Sequence, residues 1–230
     1  MYSLEDLGTI KGMEASQPAA LNNLAEVAGT AYKGQETCAF HYDFSKRSME
    51  DAGGVNSRGF GINSMGTIVT PAMEPRSHAA IFKGGGFVVD LGVLKGQAFS
   101  RANGINAMSQ VVGYSGLTRD GDDSHAFMWS SQTGMIDIGT LGGAYAQANA
   151  INDAGAITGA SDLPSMSTKI THAFIYCPQC MASDQCATWV CWVAIPVMVW
   201  ASTSTTTSPA IPRSTPTIIA FMHSCTTAKR

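Results

Sequence analysis

Three histidines recur in one local setting: His78-Ala79-Ala80-Ile81-Phe82, His125-Ala126-Phe127-Met128-Trp129 and His172-Ala173-Phe174-Ile175-Tyr176. Histidine titrates near neutral pH and ligates metals, so such a set invites an acid–base or metal reading. Each of these, however, sits at the same position of a different repeat. The set is spread over several units and reads as strand-opening residues that bond backbone. Asp6, Asp90 and Asp137 are a second periodic set, in Asp6-Leu7-Gly8, Asp90-Leu91-Gly92 and Asp137-Ile138-Gly139. Carboxylates converging on a channel would suit glycan hydrolysis, but beside Gly at a fixed offset they read as turn formers. Arg119-Asp120-Gly121-Asp122-Asp123 imitates part of a calcium loop without its D-x-D-G spacing or terminal Glu. The matching loop at 161–171 carries only Asp162, so both read as solvated loops. Cys177-Pro178-Gln179-Cys180, with Cys186 and Cys191, imitates a zinc site. Tyr114 and Tyr145 fall too irregularly for one sugar-stacking aromatic per unit. No Ser/His/Asp or Cys/His grouping stands out by spacing. The sequence therefore predicts no catalytic, cofactor-binding or metal-binding residue, and no enzyme.

The elements behind these residues form a repeat with four landmarks. An apolar residue with Asn recurs as Leu21-Asn22, Ile62-Asn63, Ile105-Asn106 and Ile151-Asn152, the asparagines lying 41, 43 and 46 residues apart by subtraction. A short apolar run follows each, as in Val111-Val112-Gly113 and Ala156-Ile157-Thr158-Gly159. Then comes His-Ala with a large apolar pair, replaced in the first copy by Cys38-Ala39-Phe40-His41-Tyr42. The last landmark is Asp-apolar-Gly, degenerate in Asp51-Ala52-Gly53. In the third copy, strands are expected at 102–106, 110–114, 125–129 and 135–139. The turn after the landmark Asn carries Gly in Asn63-Ser64-Met65-Gly66 and Asn152-Asp153-Ala154-Gly155, which suits a hairpin needing positive φ. Four short strands per unit of this length match a propeller blade, with a β-solenoid as the alternative. The fold class is all-β, an incomplete, propeller-like array of about four antiparallel blades over residues 1–176. Alternation places His125, Phe127 and Trp129 on one face, and Ala126 and Met128 on the other. Ile62, Ile105 and Ile151 are expected at equivalent buried positions, and Phe127 and Phe174 in the core.

With its Asp-Ile-Gly-Thr-Leu-Gly-Gly run at 137–143 and Ile151-Asn152-Asp153-Ala154-Gly155, this ordered set resembles the HAF-type extracellular repeat of bacteria. The resemblance covers roughly Leu4 to Tyr176. It implies a secreted or surface location and a scaffold or interaction role toward a protein or glycan. It implies no established activity.

Composition agrees with a turn-rich β array: charged residues are 13%, about half the usual share of roughly 25%. A net charge of −3 gives no reason to expect nucleic acid or anionic membrane as partner. No apolar run before residue 180 is long enough to span a membrane. Cys38 is the only cysteine before residue 177, so disulfides do not build the repeat. The start has no basic or apolar leader region and enters on the fourth landmark, which suggests a start inside a longer secreted reading frame. From Cys177 the composition changes. A one-base shift of codons allowed by Thr188-Trp189-Val190-Cys191-Trp192-Val193-Ala194 encodes D-L-G-M-L-G-G, and further on G-L-G-I-N, like Gly59-Phe60-Gly61-Ile62-Asn63. Residues 177–230 therefore read as a fifth repeat translated out of frame, an irregular and disordered tail whose cysteines are accidental.

Overall fold

The computed structural model describes residues 4–73, 78–83, 87–118, 122–165 and 168–178. The chain divides into two units, Met1–Ala194 and Ile195–Arg230, and every described residue lies in the first. That unit is all-β, and its sheets repeat in blades. The first blade is β1 (Ala15–Leu21), β2 (Glu26–Lys33), β3 (Glu36–Asp43) and β4 (Ser48–Val55). The second is β5 (Gly61–Ile62), β6 (Ile68–Met73), β7 (His78–Lys83) and β8 (Phe87–Asp90). The third is β9 (Phe99–Ile105), β10 (Val111–Gly116), β11 (His125–Ser130) and β12 (Gly134–Gly139). In the fourth, β13 (Ala146–Ile151), β14 (Ile157–Asp162) and β15 (Thr171–Tyr176) are described. Strands pair in chain order within each blade, and a single bridge between Pro71 and Arg101 joins the second blade to the third. These pairings are antiparallel meanders, unlike the parallel coils of a solenoid.

The landmarks fix the register. Leu21 faces Val27, Ile62 faces Ile68, Ile105 faces Val111 and Ile151 faces Ile157, four copies of one hairpin. Each hairpin turns on its landmark Asn, and the third residue after it has positive φ. That residue is Gly66 or Gly155 in two blades, and Ala25 or Ser109 in the others. Gly bears this conformation without cost, whereas the Ala and Ser do not.

The core lies between blades. Ala28 and Ala39 of the first pack on Ile62, Ile68 and Phe82 of the second. Val69, Ala79 and Ile81 of the second pack on Val111 and Phe127 of the third, with Trp129 at the margin. Val112 and Ala126, with Met128, pack on Ala146, Ala148 and Ile157 of the fourth. Phe127 and Ala126 thus serve opposite seams, as alternation requires. Burial departs from expectation in the third and fourth blades. Ile62 is buried, but Ile105 and Ile151 are only half-buried, and Phe174 is half-buried while Phe127 is fully buried. Trp129 and Met135 pack around the cluster that holds Phe127. No fourth strand flanks β15 among the described residues, and none of them takes beside Phe174 the place that Met135 takes beside Phe127.

Each Asp-apolar-Gly segment ends one blade and crosses to the next. Leu91 and Leu94 leave β8 and pack against Phe127. Leu7 and Ile10 do the same for Phe40 of the first blade, although no blade precedes it in the described chain.

Candidate functional site

The periodic polar residues come together along the seams. Asn22 Oδ1 accepts the Leu24 and Glu26 N–H groups at 2.9 and 3.0 Å, and closes its hairpin. Asn63 and Asn106 repeat this on Met65 and Thr67, and on Met108 and Gln110. Their side-chain amides then reach across. Asn22 Nδ2 donates to the Asn63 carbonyl at 2.9 Å, Asn63 to the Asn106 carbonyl at 3.1 Å, and Asn106 to the Asn152 carbonyl at 3.1 Å. The result is a ladder from blade to blade. The turn-forming role is as the sequence suggests; the crossing bonds are new.

Each landmark Asp caps its own turn. Asp6, Asp90 and Asp137 accept the Gly8, Gly92 and Gly139 N–H groups at 2.9, 2.8 and 2.7 Å. Asp51, in the degenerate copy, takes both Gly53 and Gly54. The landmark His and Asp are also cross-strand partners. His78 Nδ1 lies 3.1 Å from both Asp90 carboxylate oxygens, and His125 Nδ1 lies 2.7 Å from Asp137. That is the base–orienter arm of a catalytic triad. The carboxylate is shared with the turn, however, and the pairs stand on separate, solvent-facing strands. Exposed pairs of this kind contribute little to stability. His172, at the same repeat position, is exposed.

In the first blade Cys38 takes the place of the His, opposite Asp51. Burial, the Asp51 hydrogen bond and the Asp51 charge together push its thiol up to about 12, against smaller opposite effects of Ser57 and Gly54. A protonated thiol is a poor nucleophile and metal ligand. The neutral form is favoured in the folded state, so the stabilisation is complete below the unfolded pKa near 8.5–9. It is lost as pH rises from there toward 12. Alkylation of Cys38 at pH 8, followed by peptide mass spectrometry, should be slow in the native chain and fast in urea. Rapid native labelling would refute the buried neutral thiol. Asp51 itself is held below the usual carboxylate range. Burial opposes this, but the Gly54, Gly53 and Cys38 hydrogen bonds outweigh it.

One set of residues carried no landmark signal. Ser57 and Ser100 lie six residues before Asn63 and Asn106, and both are fully buried. Ser100 Oγ accepts the Ala79 N–H of the previous blade at 2.8 Å and donates to the Gly92 carbonyl at 2.5 Å. Ser57 does the same for Ala39 and Gly54, at 2.8 and 2.6 Å. The matching runs Ser57-Arg58-x-x-Gly61-Ile62-Asn63 and Ser100-Arg101-x-x-Gly104-Ile105-Asn106 are the signal that could have found them.

The loops offer one mixed cluster. Lys169 Nζ lies 3.3 Å from Asp122 and 3.7 Å from Asp162, and 4.8 Å over the Tyr145 ring. The Asp122 hydrogen bond raises the Lys169 pKa, and burial raises that of Tyr145. Tyr114 is buried against Phe99, at 5.8 Å between ring centres, and presents no face to a sugar. Residues 119–121 of the acidic loop lie outside the described residues. Among the described residues there is no group of three His, Cys, Asp or Glu that could hold a metal, and no helix long and apolar enough to cross a membrane. Cys177 is disulfide-bonded. Cys180, Cys186 and Cys191, with the rest of the expected out-of-frame tail, lie outside the described residues. No family model, no curated protein and no solved structure matches the chain.

Proposed function

We propose that the chain is a non-enzymatic member of the HAF-type extracellular repeat family, secreted or held at the cell surface. Its blades serve as a scaffold or interaction module for a protein or glycan partner. The observation that supports this most is where the periodic polar groups go. The Asn amides, the Ser hydroxyls and the landmark Asp carboxylates all bond within turns or between blades. They hold the array together, and recognition falls to the loops, which differ from copy to copy. The family resemblance supports the location, and the D-L-G-M-L-G-G that a one-base shift of codons allowed by Thr188–Ala194 encodes supports a tail, 177–230, read in a shifted frame.

The test has two arms. The purified chain and its His78→Ala/His125→Ala variant are assayed on fluorogenic glycosides, then on immobilised glycans and surface proteins. Saturable binding without turnover, equal in both forms, is the expected result. Turnover that disappears in the double variant would instead select the alternative, a glycan-active propeller enzyme, and glycan binding alone would select a lectin. Fractionation with an antibody to the chain should place it outside the cytoplasm, and antigen confined to the cytoplasm would sink the location.

A further inference from the structure

One repeat position stays apolar at the tip of a turn. Two residues after each landmark Asn, in the first hairpin of each blade, stand Leu24, Met65, Met108 and Ala154. Hairpin tips ordinarily carry Gly, Pro or polar residues. Here Leu24, Met65 and Met108 are exposed to 63, 63 and 58%. A lone apolar residue on a surface needs no explanation, but a row of them at one repeated position marks an interaction site.

The row is held from below. The Leu24 N–H donates to Asn22 Oδ1 at 2.9 Å, the Met65 N–H to Asn63 at 3.0 Å, and the Met108 N–H to Asn106 at 3.1 Å. The same asparagines form the ladder from blade to blade, so the tips are tied to one another. Asp153 adds a further tie by accepting the Ala107 N–H at 2.8 Å. The first blade carries a second apolar group at this end. Glu26 faces Asp43, and Asp43 faces Ser48, so the turn at 44–47 stands at the same end as the Asn22 turn. Phe44 there is 44% exposed, and the Arg47 guanidinium lies 5.8 Å from its ring centre. The carboxylates in or beside these turns are engaged. Glu26 accepts the Asn22 amide and lies 3.6 Å from His41, and Asp43 pairs with Lys46 at 2.8 Å.

We propose that this end of the array rests on a lipid bilayer, with Leu24, Met65, Met108 and Phe44 entering the boundary between headgroups and acyl chains. Stacked sheets lie about 10 Å apart, which makes the row a set of separate knobs, one side chain wide. A stable protein interface buries about 800 Å² on each partner, more than such a row offers. A bilayer accepts apolar groups at any spacing, and attachment grows with the apolar area buried. The unbranched Met side chains adapt to irregular surroundings, and Arg47 keeps its charge at headgroup level beside Phe44. With its carboxylates engaged, this contact runs on apolar insertion and needs no anionic lipid. It goes beyond the protein or glycan partner proposed above and does not depend on it.

Flotation of the full chain with phosphatidylcholine vesicles tests this. The wild type is expected to float with them at about 0.15 M and at about 1 M salt alike, because screening leaves apolar burial untouched. Leu24→Asp, Met65→Asp and Met108→Asp each weaken partition about tenfold, and the triple variant stays in solution. Met65→Gln/Met108→Gln gives the same direction of loss without a new charge, whereas Met65→Leu/Met108→Leu retains binding. Leu117→Asp, just past β10 at the opposite end of its blade and 56% exposed, leaves binding unchanged. All of these positions are exposed, and unchanged circular dichroism confirms the folding of each variant. A wild type that stays in solution overturns the proposal. So does flotation that needs phosphatidylserine and is released by salt, which is charge adsorption. Flotation that the triple and the Gln variants leave unchanged overturns it too, since the lipid contact then lies elsewhere in the chain.

Discussion

Phe127→Ala is expected to destabilise the chain by about 3–5 kcal/mol, measured as the shift in the urea midpoint at unchanged slope. Phe127 is fully buried in the seam between the second and third blades, against Leu91, Leu94, Val69 and Ala79. Truncation there leaves a void walled by two sheets and a crossover that are each tied elsewhere, so the site collapses poorly. The same change at Phe174 should cost only about 1–2 kcal/mol, because a half-buried ring gives up less transfer free energy. The contrast is the informative part. Equal losses at both positions would mean that the fourth blade is as enclosed as the third, against the burial described above. A Phe127→Ala melt within about 0.5 kcal/mol of wild type would remove the between-blade core altogether.

Gly113→Val should be worse, and should leave no cooperatively folded protein at 25 °C. A Cβ on Gly113 would fall 1.8 Å from the Arg101 carbonyl oxygen and 2.9 Å from its carbon. Both are backbone atoms of β9, at the point where its register with β10 shifts. No rotamer relieves that contact. β9 must leave β10, and the loss exceeds about 4 kcal/mol, the range reserved for disrupted backbone or core. The equivalent glycines of the first and fourth blades meet the same obstacle. Gly29 would place its Cβ 2.3 Å from the Gln17 oxygen, and Gly159 2.0 Å from that of Gln147. The second blade is the exception that locates the cause. There Thr70 occupies the position opposite the small Ala80, and the inner strand β5 ends its pairing at Val69, so no such carbonyl presses on Thr70. Gly134→Ala is the control. It has open space but a φ of 68°, and should cost only about 1 kcal/mol. Soluble, cooperatively melting Gly113→Val with near-wild-type stability would refute the pairing of β9 with β10.

Much of the fold was legible because its signals are local. The Asn-turn, the His-Ala-Phe strand and the Asp-apolar-Gly cap each act within a few residues, so their order along the chain gives strand order directly. Alternation about Phe127 also sorted its neighbours onto the correct faces. What the sequence hid is whatever crosses a seam. Asn63 announces a hairpin, but nothing local says that its amide ends on Asn106, 43 residues away. Ser57 and Ser100 carry no periodic hydrophobic signal, and their partners Ala39 and Ala79 lie 18 and 21 residues before them. Phe174 looked equivalent to Phe127 because both strands carry the same His-Ala-Phe; that no fourth strand flanks β15 among the described residues is not legible in the pattern around it.

The crossover has a consequence for how such a gene can change. Because Leu91 and Leu94 leave one blade to seal the next, the unit that repeats in sequence is out of phase with the unit that stacks in space. A duplication that copies one period, wherever its breakpoints fall, therefore carries half of each junction and meets the matching half on both sides. Unequal recombination can lengthen or shorten the array without inventing a contact.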